Sequence, residues 1–390
     1  MSESFSLSSA NTHEVFNQSP PFAGLNQWIG DPLLRRIADV LPDNTQSGAQ
    51  SHAAWCSQSE TLEMARLANR HLPVLKTHDA KGNRIDQVEF HPAWHAFMRK
   101  SVSLGLHCSI WDDDPAERGL RNLARATRFF LSSGVEAGHL CPITMTNAAI
   151  AAMMGDSDIV AQWLPRIRSR KYDPSHNFAL NKTGLTLGMG MTEKQGGTDV
   201  RANTTRAVPA GDGLWSLTGH KWFMSAPMCD AFLVLAQMDG KGNETGLSCF
   251  LVPRILPDGK PNALRFQRLK DKLGNRSNAS SEVEFHSALA WPVGEPGRGV
   301  PTIIEMVTLT RLDCAVSSAG LMRISLAEAI HHVRHRMVSG KLLADQPLMQ
   351  RVLADMAIDM AAATALTFRL AQSFDRAGAN PAEAAYARLM

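Results

Sequence analysis

GMGMTEKQGGTDV, residues 188–200, decides what kind of protein this is. Gly188 and Gly190 open it in the manner of a dinucleotide loop. Such a loop needs a third glycine three residues on, a strand before it and a helix after it. Position 193 is Glu and no helical pattern follows, so nicotinamide binding through this stretch is excluded. The remaining residues suit another ligand. Gly196–Gly197 lets backbone come close to a bulky group. Thr192 and Thr198 carry hydroxyls for carbonyl or phosphate oxygens, and the amides beside them form an anion-friendly concavity. An acid and a base, Glu193 and Lys194, stand between them. A flat ring with a carbonyl edge and a pyrophosphate tail would use these groups; on spacing alone an ordinary glycine-rich loop is the simpler reading.

The next informative stretch is GHKWFMSAP, residues 219–227. Read as a strand, it turns Trp222 and Phe223 to opposite sides and puts Ser225 on Phe223's side. One ring would then pack inward and the other lie beside a ring system whose edge Ser225 reaches. Plain aromatic packing accounts for the spacing equally well.

Both stretches lie in a β-like region from about Leu180 to Val293. FLVLAQM (232–238), the turn cluster DGKGN (239–243), LSCFLVP (247–253) and the alternating SEVEF (281–285) predict a small barrel or sandwich. Upstream, Ser57 to about Leu164 has apolar residues three and four apart, as in TLEMARLANRHL and ERGLRNLARATRFFLSSGVEAG, and reads as helices. Pro165 makes a natural stop. Downstream, helices return at Gly299-Val300-Pro301. Leu326, Ile330, Val333 and Met337 predict one buried stripe, and LMQRVLADMAIDMAAATALTFRLAQSF a second helix. Residues 1–50, rich in Ser, Asn and Pro, predict an arm with little regular structure. The expected organisation is an arm at 1–50, a helical domain at 51–180, a β domain at 181–294 and a second helical domain at 295–390. Asn380-Pro381 starts a helix that reaches Met390 within two or three turns, as in a fragment whose last helices lack their packing partners.

A chain of 390 residues is too long for one ordinary core. Its formal charge of +3 falls short of a nucleic-acid signature. The six cysteines are scattered without a C-x-x-C, which points to reduced thiols and a cytosolic protein. The first thirty residues do not form a signal peptide, and no stretch approaches the about 18 apolar residues of a membrane helix. His91/His95 and His331/His335 are four apart, but no Glu sits as in H-E-x-x-H and no third ligand is evident, so no metal is expected. Cys141 has no partner base and reads as structural.

The paired motifs M-T-E-x-x-x-G-T-D and G-x-K-x-F-x-S resemble those of the acyl-CoA dehydrogenases. HLCPITMT (139–146), GMGMTEKQGG, GHKWF and RLKDKLGNRSNAS (268–280) are most similar to the adaptive-response, AidB-type branch of that family. The resemblance implies an α+β fold: an N-terminal helical domain, a middle β-barrel or sandwich domain and an incomplete C-terminal helical domain. It implies FAD, with Met189, Gly190, Met191, Thr192, Gly197 and Thr198 along the ring and pyrophosphate, Phe223 in place of a stacking Trp, Ser225 near the ring's reactive nitrogen, and Met224 among the cofactor-binding residues. Arg336, and with it Gln346, would hold the flavin of a neighbouring subunit in a dimer or tetramer. Arg311 would open a long helix beside the acyl-CoA pocket, paired with an acid such as Asp313. The family's catalytic Glu would lie beyond residue 390; its other known position is Thr310 here, which is no base at neutral pH. The branch implies protection against DNA alkylation, with weak or vestigial dehydrogenase activity and double-stranded DNA as a partner through the C-terminal helical part. A working short- or branched-chain dehydrogenase, or a DNA-binding protector with a structural flavin, are the alternatives. RLKDKLGNRSN could meet a phosphate of DNA or of a CoA tail; a solvated turn fits as well.

Overall fold

Asn26 and Asp31 each accept hydrogen bonds from backbone amides ahead of them, and Pro32 follows in the first turn. These caps start α1 (Gln27–Gly30) and α2 (Pro32–Ala38), and α3 (Asp43–Cys56) follows. The expected irregular arm is therefore helical from residue 27. Trp28, Leu34, Ala38 and Leu41 are buried in the helical core beside Trp94, Phe129, Phe130 and Phe368, which fixes them in place. The structure, a computed structural model, describes residues 12–22, 26–239 and 245–389. Of the turn cluster at 239–243, only Asp239 falls within them.

The helical layer continues with α4 (Ser59–Arg70), a hairpin of β1 (Val74–His78) and β2 (Arg84–Glu89), then α5 (Pro92–Ser103), α6 (Arg121–Ser133), α7 (Leu140–Met153) and α8 (Ser157–Ile167). The hairpin interrupts what the apolar periodicity presents as continuous helix. Pro165 lies inside α8 and does not stop it. So near the helix end the missing N–H removes one bond and the final turn survives.

The middle region holds β3 (Leu187–Gly190), β4 (Arg206–Gly211), β5 (Leu214–Ser225), β6 (Ala231–Asp239), β7 (Thr245–Pro253), β8 (Leu264–Leu269) and β9 (Ser280–Val293). Pairings run β5–β9–β7–β6–β4–β5, so the sheet closes on itself as a barrel. β6 is apolar from Ala231 to Ala236 because both its faces are covered there. Phe232, Val234 and Ala236 fill the barrel, while Ala231, Leu233 and Leu235 pack towards the helices.

α9 (Gly299–Val333) begins where a side chain at Gly299 would stand 2.5 Å from the Ser248 backbone. Its apolar residues join both neighbouring cores, Ile303 and Met306 on one, Leu312 and Val316 on the other. The stripe expected to reach Met337 ends at Val333. Met337 lies on β10 (Met337–Val338), exposed, because Ser339 and Gly340 take positive φ and turn the chain back into β11 (Lys341–Leu342). α10 (Pro347–Arg376) and α11 (Pro381–Leu389) follow, the latter capped by Asn380. Among the described residues, no helix is long and apolar enough to cross a membrane.

Candidate functional site

β3 is wedged between two neighbours. It pairs antiparallel with β5 (Met189 opposite Ser225, Gly190 opposite Met224) and parallel with β6. The fit needs its glycines. A Cβ at Gly188 would meet Ser225 O at 2.5 Å, and one at Gly190 would meet Met224 Sδ at 2.8 Å. Just past β3, the Trp222 amide donates to Thr192 O at 2.8 Å. The two motifs read separately in the sequence thus form one continuous seam. A Cβ at Gly197 would come within 2.6 Å of Thr192 Oγ1, so the loop folds onto its own threonine.

Along this seam Met189, Met191, Thr192 and Ser225 are half-buried, and Gly197, Thr198 and Phe223 are exposed. Among the described residues, the hydroxyls of Thr192, Thr198 and Ser225 make no hydrogen bond, and Phe223 is 42% exposed. Three hydroxyls without a partner and a partly exposed aromatic ring on one seam form a shelf with polar edges and an apolar face. That donor and acceptor set suits a flat heterocycle such as an isoalloxazine. Two of the residues expected there do not reach it with side chains. Gly190 has none, and Met224 is fully buried in the barrel core, so its thioether faces no ligand.

The simple alternation expected for Trp222 and Phe223 fails. β5 carries an extra residue against β9: Lys221 pairs with Val283 and Met224 with Ser281. The bulge puts Lys221 and Met224 together under Gly190, and both aromatic rings near one cation. Lys270 Nζ lies 3.3 Å from the Trp222 ring centre and 5.0 Å from that of Phe223.

The acid of the first motif pairs across the seam and not with its neighbour Lys194. Glu193 is fully buried and accepts Lys221 Nζ at 2.7 Å. It also accepts the amides and hydroxyls of Thr204 and Thr205 and one amide hydrogen of Gln195. Burial pushes its carboxyl up, but the Lys221 ammonium and these bonds outweigh burial and hold it well below the usual carboxylate range. Burial lowers Lys221 to about 8 against the pull of Glu193, so the pair is charged at neutral pH. This pair fixes the loop against β5. The only signal for it in the sequence is that each motif contains one member.

Arg336 and Gln346 stand elsewhere, Arg336 just before the β10–β11 hairpin and Gln346 after it, at the start of α10. Arg336 Nη1 donates to Asn17 O at 2.8 Å and Gln346 Nε2 to Val338 O at 3.3 Å. Arg311 is exposed on α9 and is not the partner of Asp313. That aspartate is buried and pairs with Arg125 at 2.7 Å, with the Thr144 hydroxyl also donating to it. The Thr310 hydroxyl donates to Val307 O within its own helix, at 2.9 Å. Burial raises Asp230 and Asp375, but Asp230 pairs with Lys182 and Asp375 caps α6, both away from the shelf. In the basic stretch, Arg268 and Lys270 both bind Glu282 at 2.7 Å, and Lys272 donates to Asn278 O at 2.6 Å. Burial pushes the Cys141 thiol up to about 11, which suits a structural role.

Comparison with known proteins follows the same three regions. Residues 17–174 match the adaptive response protein AidB N-terminal domain, residues 188–288 the acyl-CoA dehydrogenase middle domain, and residues 297–390 the acyl-CoA dehydrogenase C-terminal domain. The chain is 46% identical to AidB of Escherichia coli over 97% of its own length and 69% of that protein. The crystal structure of Caenorhabditis elegans ACDH-11 in complex with C11-CoA superposes with a TM-score of 0.86 at 29% identity, covering 98% of this chain and 65% of that one. A glutaryl-CoA dehydrogenase from Mycobacterium smegmatis, solved with FADH2, has a TM-score of 0.67 at 18% identity over 93% of this chain and 82% of its own, a likeness of fold. The chain thus spans about two thirds of the length of the first two relatives.

Proposed function

The chain belongs to the acyl-CoA dehydrogenase family, in its AidB branch, and from that premise we propose that it is a flavoprotein of the alkylation response that holds FAD on the β3–β5 shelf. The carrying observation is the row of unpartnered hydroxyls, Thr192, Thr198 and Ser225, beside the exposed ring of Phe223. Thr192 and Ser225 would hold the polar edges of the ring, Thr198 the phosphate side, and Phe223 would cover one face and exclude water. FAD, when bound, supplies a hydride acceptor. The chain's own residues add little beyond binding and orientation, because among the described residues no carboxyl pushed up by its surroundings lies at the shelf and Thr310 spends its hydroxyl within its helix. Dehydrogenation by these residues is accordingly weak. The reading includes a homo-oligomer in which Arg336 meets a neighbouring subunit's pyrophosphate.

The purified protein should carry a flavin spectrum that stays oxidised in an anaerobic panel of acyl-CoA thioesters. Rapid bleaching by a short or branched thioester would make it a working dehydrogenase. Cells lacking the protein should lose survival under a methylating agent, and unchanged survival would remove the alkylation role. Arg336→Ala should weaken FAD binding by about 1.5–3 kcal/mol, the size of a hydrogen bond to a charged group. Equal flavin retention by variant and parent would take Arg336 out of the site.

A further inference from the structure

We propose that the cavity between α5 and the barrel is a second ligand site, taking a carboxylate carried on an apolar body. It has a volume of about 500 Å3, in the range of small-molecule sites. Its walls come from β2, α5, segment 172–186, the β5–β6 connection and the end of β7; none of residues 189–198 or 223–225 lines it. It is therefore separate from the flavin shelf.

One side is apolar: Phe90, Trp94, Met98, Pro142 and Met228 line it, with the Phe90 and Trp94 rings stacked at 3.8 Å. On the polar side the carboxylates are already engaged. Asp230 takes Lys182 Nζ at 2.6 Å and the Thr186 amide at 2.8 Å. Asp173 takes the amides and hydroxyls of Ser175 and Thr183, and Glu89 pairs with Lys76 at 2.9 Å. The unmet groups include two strong donors. Trp94 is 1% exposed and its Nε1–H has no partner. Arg99, exposed at the cavity's edge, makes no hydrogen bond or ion pair among the described residues, and neither does His176. Leaving a buried N–H unpaired is unfavourable, so an acceptor in this cavity completes the structure.

The unpaired charge selects an anion. Burial lowers His95, and Arg99 lowers it further. Burial, then Arg254 and Lys182, push His176 down to about 4. The cavity's carboxylates, Glu89, Asp173 and Asp230, are each engaged, while the Arg99 guanidinium has no partner among the described residues, so a carboxylate head is favoured and an ammonium is not. The aromatic wall covers the ligand's apolar body, and Arg99 offers a two-pronged clamp for its head.

The test uses decanoate as the probe on FAD-loaded protein, with decanol and decylamine as comparators, read by calorimetry and by tryptophan fluorescence. Decanoate should bind, decanol at least about tenfold more weakly, and decylamine not at all. Arg99→Gln, on an exposed position, should weaken decanoate about tenfold with FAD content unchanged. Trp94→Phe, which keeps the ring stack and deletes the N–H, should also weaken it. Failure of decanoate to bind, equal binding of decanol, an unaffected Arg99→Gln variant, or displacement of decanoate by a thioester that perturbs the flavin spectrum would each overturn the proposal.

Discussion

Lys221→Met is expected to destabilise the protein by about 3–5 kcal/mol, because it leaves the Glu193 carboxylate buried without its cation. Methionine fills most of the lysine's space, so the loss reports charge and not a cavity. Glu193 would keep its bonds from Gln195, Thr204 and Thr205 but no longer be neutralised. The loop from Met191 to Thr205 should loosen, and flavin retention should fall with stability. Pairing Lys221→Met with Glu193→Leu should recover part of the loss, since both desolvated charges are then gone. The pH dependence has a fixed sign. Folded Glu193 is held below its unfolded value, so its contribution is complete above about pH 4.3 and fades as acid protonates it. The gap between parent and Lys221→Met should therefore be larger at neutral pH and shrink as acid protonates the buried Glu193. Urea unfolding across that range measures it; equal midpoints at pH 7 would show that the pair does not hold the seam.

Asp313→Leu should cost a similar about 3–5 kcal/mol by the same physics in the helical core. Arg125 is 3% exposed, with its Nε bound to Leu106 O at 2.6 Å and its other nitrogens on Asp313. Removing the carboxylate strands a guanidinium among α6, α7 and α9 and frees the Thr144 hydroxyl. The double change Arg125→Met with Asp313→Leu should be much milder than either single one. Arg311→Ala, by contrast, should leave the unfolding midpoint close to the parent's, because Arg311 is exposed and does not pair with Asp313. An unchanged midpoint for Asp313→Leu would contradict the assignment.

The seam was legible in the sequence as far as its chemistry: two threonines, paired glycines, an aromatic and a serine. Its geometry was not. The bulge at Trp222–Phe223 breaks the period of two, and a bulge leaves no composition mark that alternation can read. The bond between Glu193 and Lys221 spans 28 positions, so the adjacent Lys194 was the natural partner on paper. At the N-terminus, Ser, Asn and Pro suggested an arm, yet Asn26, Asp31 and Pro32 are also helix-start residues; burial of Trp28 and Leu34 decided between the two. The stripe to Met337 failed because periodicity runs past a helix end unless a turn residue is weighed against it, and Ser339-Gly340 was that turn.

The central claim is that FAD rests on the β3–β5 shelf, and titration of flavin-free protein with FAD, followed by flavin fluorescence, tests it most directly. The parent should bind one FAD per chain with its fluorescence quenched. The combined change Thr198→Val with Ser225→Ala should weaken binding at least about tenfold, the equivalent of 1.4 kcal/mol, while the unfolding midpoint stays close to the parent's because both hydroxyls are unpartnered. Parent protein that binds no FAD, or a double variant that binds it as tightly as the parent, would contradict the account.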